Sequence, residues 1–265
     1  MKSVVISRFG SIENIRILES EKPKPGIGEV LVEVHYSSLN PIDFKIRDGE
    51  LGFYVGRKFP MGLGFDFCGR VVGVGERVFR FKVGDRVWGI SSKKNGGAFA
   101  EYICESEDHL VECPQGHEIK DLGATALTGL TAYQALIVQS KIKKDQRVLI
   151  NGASGGVGHF AVQISKAVGA QVTGTCSPKN FEFVRSLGAD NVVDYKDLQS
   201  LKNKKWDCVF DCHSSLPVKE IVGSIEKNGN FVSLLPNADV IWGSLRYWFS
   251  GPTVRFLILK KNLKD

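Results

Sequence analysis

The residues best suited to chemistry lie in a glycine-rich segment near the middle of the 265-residue chain. An apolar run over 148–150 leads into Asn-Gly-Ala-Ser-Gly-Gly-Val-Gly over 151–158. Glycines let a backbone turn tightly and approach a pyrophosphate, and a helix that begins there offers free N–H groups. The three-residue spacing of these glycines departs from a strict G-x-G-x-x-G, and a structural tight turn is the alternative. The segment predicts a dinucleotide-binding loop made by Gly152, Ala153, Ser154, Gly155, Gly156, Val157 and Gly158.

The residues after the next predicted strand indicate which dinucleotide is bound. Sites that prefer NAD place an acid there, which binds the ribose 2′-hydroxyl. The predicted strand 171–176 is instead followed by Ser-Pro-Lys-Asn. Because Ser177 can donate a hydrogen bond and Lys179 supplies positive charge, NADP(H) is predicted; an ordinary solvated lysine is the alternative for Lys179. The predicted cofactor-binding set also includes Asn180, Leu234 and Tyr195, whose hydroxyl either reaches the 2′-phosphate or packs.

Two different patterns of apolar residues, one in each half of the chain, predict the elements that position these residues. Up to about residue 115, short alternating runs such as 29–36 and 86–90, with dense glycine, are typical of a small twisted β-barrel. After Pro114 a helix is predicted over 124–138, and strands then alternate with helices. The sequence therefore predicts an α/β protein, with a barrel domain over 1–119 and a doubly wound parallel sheet over 120–265. The predicted strands of that sheet are 147–151, 171–176, 191–194, 207–211, 230–235 and 254–259.

Composition excludes several other classes of protein. Apolar residues make up 43% and charged residues 24%, which is typical of globular proteins. The net charge of +6 is spread along the chain, so neither DNA nor RNA binding is predicted. No apolar run is long enough for a membrane span. The six cysteines contain no C-x-x-C pair, which favours a reducing compartment. A cytoplasmic location is predicted, with an organelle interior as the alternative.

Several segments, in order, resemble the zinc-independent quinone oxidoreductase (zeta-crystallin-like) branch of the medium-chain dehydrogenase/reductase superfamily. They are 38–49, 64–71, 83–87, 97–102, 130–133, the glycine-rich loop and 186–190. The resemblance implies a GroES-like β-barrel domain with substrate contacts, a Rossmann-type domain that holds NADP(H), and a cleft between them. It implies hydride transfer from NADPH to a quinone or to the C=C bond of an α,β-unsaturated aldehyde or ketone. It also implies a homodimer. The aromatic residues Trp242, Tyr247 and Trp248 are candidates for its interface, with an apolar acceptor pocket as the alternative.

The resemblance further implies three catalytic candidates. Asn40 is expected to donate to the substrate oxygen or to the nicotinamide ribose, with a turn-forming role before Pro41 as the alternative. Thr131 is expected to face the nicotinamide, unless it only bonds its own helix. Tyr54 either donates a proton or stacks on a quinone, or it is a packed tyrosine. No general acid is assigned, since solvent can supply the proton.

No metal is predicted. Zinc alcohol dehydrogenases use Cys and Gly-His-Glu where this chain has Asn40 and, at the His-Glu position, Phe65-Asp66. A Gly-His-Glu does occur over 116–118, but it lies away from the matching segment, so it is interpreted as a coincidence.

Two departures from the family keep a second function open. The family usually has a glycine near position 213, where this chain has His213, whose side chain either crowds the adenosine end of the cofactor or turns outward. Relatives also continue for tens of residues after the segment like 254–261 and return to complete the first domain. Here the return is expected to be absent, through truncation, a natural short form or a partner that covers the edge. An NADPH-binding protein with little or no turnover, such as a crystallin or an RNA- or protein-binding relative, is the alternative function.

Overall fold

A computed structural model describes residues 1–247 and 251–261. The chain divides into two units. The first contains Met1–Leu127 together with Lys260 and Lys261, and the second contains Thr128–Leu259. Lys261 shows how the end of the described chain is held in the first unit. Its ammonium group donates to the Lys93 carbonyl oxygen (2.7 Å) and lies 4.3 Å from the centroid of the Phe65 ring.

The described part of the first unit contains two antiparallel sheets. Its strands are β1 (Lys2–Ile6), β2 (Ile15–Glu19), β3 (Glu29–Tyr36), β4 (Met61–Gly62), β5 (Asp66–Val74), β6 (Arg86–Ile90), β7 (Tyr102–Ser106) and β8 (Leu110–Glu112). One sheet has the order β2-β1-β4 and the other β7-β3-β5-β6-β8. The larger sheet curls around a core that includes Val32, Phe67 and Val87. Close crossing of its strands requires glycine, because a Cβ on Gly69 would lie 1.9 Å from the Glu33 carbonyl oxygen.

Short helices lie between these strands and after the last of them. They are α1 (Pro41–Asp48), α2 (Gly52–Val55) and α3 (Ile119–Leu122), with single 3₁₀ turns at Ile12–Asn14 and Glu107–His109. Helix α1 begins with Pro41 in its first turn, where a missing N–H costs nothing, and ends at Gly49, whose φ of 87° is left-handed.

The described part of the second unit is a six-stranded parallel sheet with helices. Its strands are β9 (Arg147–Asn151), β10 (Gln171–Cys176), β11 (Asn191–Asp194), β12 (Trp206–Asp211), β13 (Ile225–Ser233) and β14 (Thr253–Phe256). Their order is β11-β10-β9-β12-β13-β14, so the direction of winding reverses between β9 and β12. This is the doubly wound order that binds dinucleotides at the point of reversal. The predicted parallel sheet is therefore confirmed.

One helix precedes the first strand of this sheet in the chain, and the others lie between its strands. They are α4 (Ala126–Tyr133, continued by a π-helix over Gln134–Gln139), α5 (Gly158–Ala167), α6 (Phe181–Ser186), α7 (Leu198–Lys202), α8 (Val218–Ile221) and α9 (Ala238–Arg246), with 3₁₀ turns at Pro178–Asn180 and Val222–Ser224. Alternate residues of β9 enter different clusters: Val148 and Ile150 pack in one and Leu149 in another. Both faces of the sheet are thus covered, as a buried parallel sheet requires.

The structure shifts some predicted bounds. The predicted helix over 124–138 begins at Ala126 and changes to π geometry at Gln134. Strand β7 begins only at Tyr102, because the residues before it pair with β1 instead: the Val4 N–H donates to the Phe99 carbonyl oxygen and the Glu101 N–H to that of Lys2. Strand β13 begins at Ile225, five residues before the predicted start at 230.

Candidate cofactor-binding site

The glycine-rich loop joins the end of β9 to the start of α5 and forms a close-packed cradle. Gly152 has a left-handed φ of 78°. A Cβ on Gly158 would lie 2.1 Å from the Gly152 carbonyl oxygen, so the start of the helix approaches the loop at a distance that only glycine permits. The loop is anchored to the next strand by the Ala153 N–H, which donates to the Thr175 carbonyl oxygen (2.8 Å). Loop, strand end and ten-residue helix together match the geometry that binds a pyrophosphate.

A buried polar chain holds the carboxyl ends of three strands together. The Thr175 hydroxyl of β10 donates to Asn151 Oδ1 of β9 (2.6 Å), and Asn151 Nδ2 donates to Asp211 Oδ1 of β12 (2.8 Å). The other oxygen of Asp211 accepts from the Leu216 N–H (2.8 Å). Burial raises the pKa of the Asp211 carboxyl, while these hydrogen bonds act in the opposite direction. Neither Asn151 nor Asp211 was among the residues predicted for the site. The signal was present, since each is the polar last residue of an apolar strand.

Three of the predicted cofactor-binding residues, Ser154, Ser177 and Asn180, are brought together at the end of β10. Asn180 Nδ2 donates to Ser154 Oγ (3.0 Å) and lies 3.4 Å from Ser177 Oγ. The loop residue Ser154 is thereby tied to the segment that follows β10. Lys179 is exposed in the 3₁₀ turn between Ser177 and Asn180.

Tyr195 lies at the end of the neighbouring strand β11. Its backbone N–H donates to the Cys176 carbonyl oxygen (3.2 Å), which places it beside the residue that precedes Ser177, and half of the side chain is exposed. Asp194 stands opposite Cys176 in the sheet, and its Oδ1 accepts from the Lys196 N–H (3.0 Å) within its own turn. Leu234 follows β13 and packs, half-buried, against the core cluster that contains Ile150.

The backbone conformation near residue 213 shows which position there favours the glycine that the family usually has. The left-handed conformation falls on Ser214, whose φ is 56°, and not on His213. A glycine is therefore favoured at 214 rather than at 213. His213 is exposed, and its Cβ would lie 3.3 Å from a Cβ built on Gly152.

In the first unit, Asn40 belongs to a buried cluster of polar groups. Its Nδ2 donates to Asp66 Oδ2 (2.8 Å) and to Ser38 Oγ (3.0 Å), and the Ser38 hydroxyl donates to the same Asp66 oxygen (2.6 Å). The Leu127 N–H donates to the other Asp66 oxygen. Burial raises the pKa of Asp66, opposed by these donors.

Asp43 lies beside this cluster at the start of α1. It accepts from the Asn40 N–H (2.7 Å) and the Gly64 N–H (3.0 Å). Burial raises the pKa of Asp43 to about 6, and the negative charge of Asp66 acts in the same direction.

The other two catalytic candidates lie in different units. Tyr54 is in α2 of the first unit, 46% exposed, and the Lys94 ammonium nitrogen lies 5.4 Å from its ring centroid. Thr131 is buried in α4 of the second unit.

The Cys68 thiol and the Asp66 carboxylate make hydrogen bonds within the protein. The Cys68 thiol donates to the Ile119 carbonyl oxygen (2.9 Å), and both Asp66 oxygens accept hydrogen bonds. His117 is exposed, and its carbonyl oxygen accepts from Arg86 (2.7 Å). Within residues 1–247 and 251–261, no three His, Cys, Asp or Glu side chains converge as a metal would require. No helix in the same described part is long and apolar enough to cross a membrane.

Comparison with known families matches both units. Residues 26–115 match the alcohol dehydrogenase GroES-like domain, and residues 156–235 match the family described as zinc-binding dehydrogenase. The barrel domain predicted for the first half and the dinucleotide fold predicted for the second are thus confirmed.

Two individual proteins are similar to this chain in sequence. The chain is 37% identical over 243 residues to a chloroplast envelope quinone oxidoreductase homolog of Arabidopsis thaliana, covering 88% of this chain and 74% of the relative. It is 38% identical over 219 residues to a trans-enoyl reductase of Aspergillus terreus, covering 77% of this chain and 61% of the relative.

Two solved structures are similar throughout most of their length. The quinone oxidoreductase from Coxiella burnetii has a TM-score of 0.90 at 28% identity, over 100% of this chain and 84% of that one. The Escherichia coli quinone oxidoreductase complexed with NADPH has a TM-score of 0.78 at 29% identity, over 88% and 72%.

Proposed function

Because this chain belongs to the quinone oxidoreductase branch of the medium-chain dehydrogenase/reductase superfamily, we propose that it transfers a hydride from NADPH to an electron-poor acceptor without zinc. The acceptor is a quinone or the C=C bond of an α,β-unsaturated aldehyde or ketone. Relatives named as quinone oxidoreductase and trans-enoyl reductase support these two acceptor classes. Such acceptors accept a hydride readily, so the protein's main task is to position the reactants.

The observation that carries the choice of cofactor is the polar cluster after β10. Asn180 bonds Ser154 of the phosphate loop and lies beside Ser177, while Lys179 projects from the same turn into solvent. Two hydroxyls, an amide and a cation suit a phosphate, and an acid that would bind a free 2′-hydroxyl is missing from 177–180. The carboxylate of nearby Asp194 already accepts from Lys196. We therefore propose NADP(H) over NAD(H).

Each residue set has a defined part in the reaction. NADPH supplies the hydride when it is bound. The glycine-rich loop and the start of α5 would bind its pyrophosphate, while Ser177, Lys179 and Tyr195 would bind its 2′-phosphate. Thr131 orients the nicotinamide, and Tyr54 offers a hydroxyl or a ring surface to the acceptor. Solvent supplies the proton that completes the reduction.

The contacts of Asn40 bear on its proposed role. Its amide nitrogen already donates to Asp66 and Ser38, so donation to the acceptor oxygen would require one of these bonds to be given up. The side-chain oxygen of Asn40, Oδ1, can only accept a hydrogen bond. A ribose hydroxyl can donate one to it, whereas a quinone or enone needs no hydroxyl group. Of the two roles considered for Asn40, contact with the nicotinamide ribose is therefore the one we propose.

Two further properties follow as proposals. We propose a homodimer, since β14 pairs only with β13 among the described residues and Trp242 and Leu245 of α9 are 72% and 63% exposed. Trp248, the third aromatic interface candidate, lies outside the described residues. We propose a cytoplasmic location, with an organelle interior as the alternative that a chloroplast-named relative supports.

The test is oxidation of NADPH followed in parallel with an ortho-quinone and a medium-chain 2-alkenal, with NADH as the control. Turnover with NADPH well above NADH is expected, and the better acceptor identifies the subclass. Lys179→Ala should raise the KM for NADPH about tenfold and leave that for NADH unchanged, since one charge-assisted contact is lost. Lys227→Ala removes an exposed lysine elsewhere in the second unit and serves as the matched control. NADPH binding without turnover of either acceptor would instead support the non-catalytic alternative.

A further inference from the structure

A cavity of about 360 Å³ lies at the amino end of the parallel sheet, away from every residue used in the proposed reaction. It is bounded by the first residues of β9, β10 and β11 and by the turn 203–205, which joins α7 to β12. Within the described chain, each polar side chain of its lining can donate a hydrogen bond, and none is a carboxylate. These side chains are Arg147, Gln171, Thr173, Asn191, Lys204 and Lys205.

The register of the strands places four of these side chains on one face of the sheet. Arg147 of β9 stands opposite Gln171 of β10, and Thr173 stands opposite Asn191 of β11. Directly paired residues point to the same face, and so do residues two apart along a strand. A guanidinium group, two amides and a hydroxyl therefore form one continuous polar surface at the starts of three neighbouring strands.

Thr173 is a buried polar side chain on this surface. It is only 4% exposed, and its hydroxyl makes no hydrogen bond within residues 1–247 and 251–261. Thr175, two residues further along β10, is also buried, but its hydroxyl donates to Asn151 Oδ1 (2.6 Å). Buried hydroxyls are normally hydrogen-bonded, because an unpaired one costs free energy. Since Thr173 lines the cavity, its hydroxyl is available to a ligand there.

Two lysines supply the charge of the cavity. The Lys204 ammonium group has no ion pair or hydrogen bond with the part of the chain that the structure describes, and that of Lys205 donates only to a backbone carbonyl oxygen (2.9 Å). Arg147 is held by Asp207 (3.2 Å) and Glu226 (2.7 Å), and neither carboxylate lines the cavity. Three cations against these two acids leave one positive charge in excess.

We propose that this cavity binds a phosphate group, either as free phosphate or as part of a small phosphate ester. Lysine is a common ligand of phosphate, and the several oxygens of a phosphate can use donors from more sides than the two oxygens of a carboxylate. The volume lies at the lower end of the range of about 300–1,000 Å³ for ligand pockets, which suits a small anion. The site is independent of the proposed function. Arg147 begins β9 and Asn151 ends it before the glycine-rich loop, about 13 Å away at the usual rise per residue.

NMR titration of backbone amides tests the proposal, with inorganic phosphate, glycerol 3-phosphate and acetate as probes at constant pH and ionic strength. The amides of residues 171–173, 191 and 204–205 should shift together and yield one Kd for each phosphate probe. The amides of 152–158 and 177–180 separately report any phosphate in the cofactor site.

Substitutions in the cavity should change this Kd in a graded way. Lys204→Ala should raise it about tenfold, whereas Lys204→Arg keeps the charge and should stay within about threefold. Thr173→Val should raise it about threefold to tenfold, as loss of one hydrogen bond does. The Tm of Thr173→Val without phosphate should not fall, because its hydroxyl has no protein partner to lose. Lys58→Ala removes the same charge from an exposed position in the first unit and should leave the Kd unchanged.

The outcomes distinguish this site from the cofactor site. Shifts confined to 152–158 and 177–180, or no shift of the cavity amides up to about 10 mM phosphate, would overturn the proposal. Acetate that binds as tightly as phosphate would overturn the choice of ligand, and an unchanged Kd in Lys204→Ala would overturn the role of the lysine. Tighter binding of glycerol 3-phosphate would support a phosphate ester as the ligand, and tighter binding of inorganic phosphate would support the free ion.

Discussion

Gly158→Ala gives the strictest test of the phosphate loop. Gly158 begins α5, and its φ is not left-handed, so the backbone itself accepts alanine. The added Cβ would lie 2.1 Å from the Gly152 carbonyl oxygen and 2.8 Å from the Ala153 Cα. An ordinary contact begins at 3.4 Å, so loop and helix must separate by more than about 1 Å. Both partners are backbone atoms, which cannot swing aside as a flexible side chain does.

The size of that displacement determines the expected losses of stability and of affinity for NADPH. Overpacking of this kind costs about 1–3 kcal/mol, and about 2–4 °C of Tm is lost for each kcal/mol in a chain of this size. A shift of about 1 Å also breaks N–H···O bonds to a phosphate, which need about 2.7–3.2 Å. One such charged hydrogen bond contributes about 1.5–3 kcal/mol, so the Kd for NADPH should rise at least about tenfold.

The assay is NADPH titration by fluorescence, together with thermal unfolding without cofactor. Gly155→Ala is the matched control in the same loop, because its Cβ would lie 3.3 Å from the same Gly152 oxygen and needs a shift of only a few tenths of an ångström. Equal losses in the two variants, or normal binding and Tm in Gly158→Ala, would refute the close approach of helix and loop.

Three further predictions concern stability. Burial raises the pKa of Asp43 to about 6 in the folded state. The free energy of unfolding, relative to that of Asp43→Asn, should therefore fall by up to about 3 kcal/mol as pH rises from about 4 to about 6 and then level off. Denaturant midpoints of both proteins across that range check it, and a difference that stays constant with pH contradicts it. Gly64→Ala should lower the Tm more than Gly84→Ala. Both glycines have a left-handed φ, but only at Gly64 would a Cβ meet a side chain, the Phe99 ring at 2.4 Å. Equal losses of Tm would show that backbone strain alone matters. Asp211→Asn removes an acceptor oxygen from buried donors and should cost about 1–3 kcal/mol of unfolding free energy; a neutral result in chemical denaturation would show that the buried polar chain is dispensable.

The second unit was predictable because its central strands β9, β10 and β12 are buried on both faces. Such strands appear as continuous apolar runs, and each run here ends before a turn residue or a polar residue. The first unit was harder to predict. Four of the five residues of β2 are exposed although three of the five are apolar, so the strand contributes little to the core and is defined by its pairing with β1. The two-residue β4 is likewise defined only by pairing.

The candidate site was predictable where its chemistry is local in sequence. The glycine loop and the Ser-Pro-Lys-Asn segment are each continuous, and their residue types indicate phosphate binding directly. The contact between Asn180 and Ser154 joins residues 26 apart, and that between Asn151 and Asp211 joins residues 60 apart. Such pairs depend on which strands are neighbours, and strand order does not follow from the composition of any one strand.

The sheet order also explains why these distant residues act together. Asn151 ends the central strand β9, and its amide bonds Thr175 on one side and Asp211 on the other. Thr175 leads within two residues to Ser177, Asp211 within two residues to His213, and Asn151 directly to the loop. The glycine-rich loop and the segment 177–180 therefore follow strand ends that one buried amide holds in register. Because that amide both accepts and donates, an aspartate at 151 would place a carboxylate against Asp211. The site therefore requires an amide at 151, although Asn151 itself need not touch the cofactor.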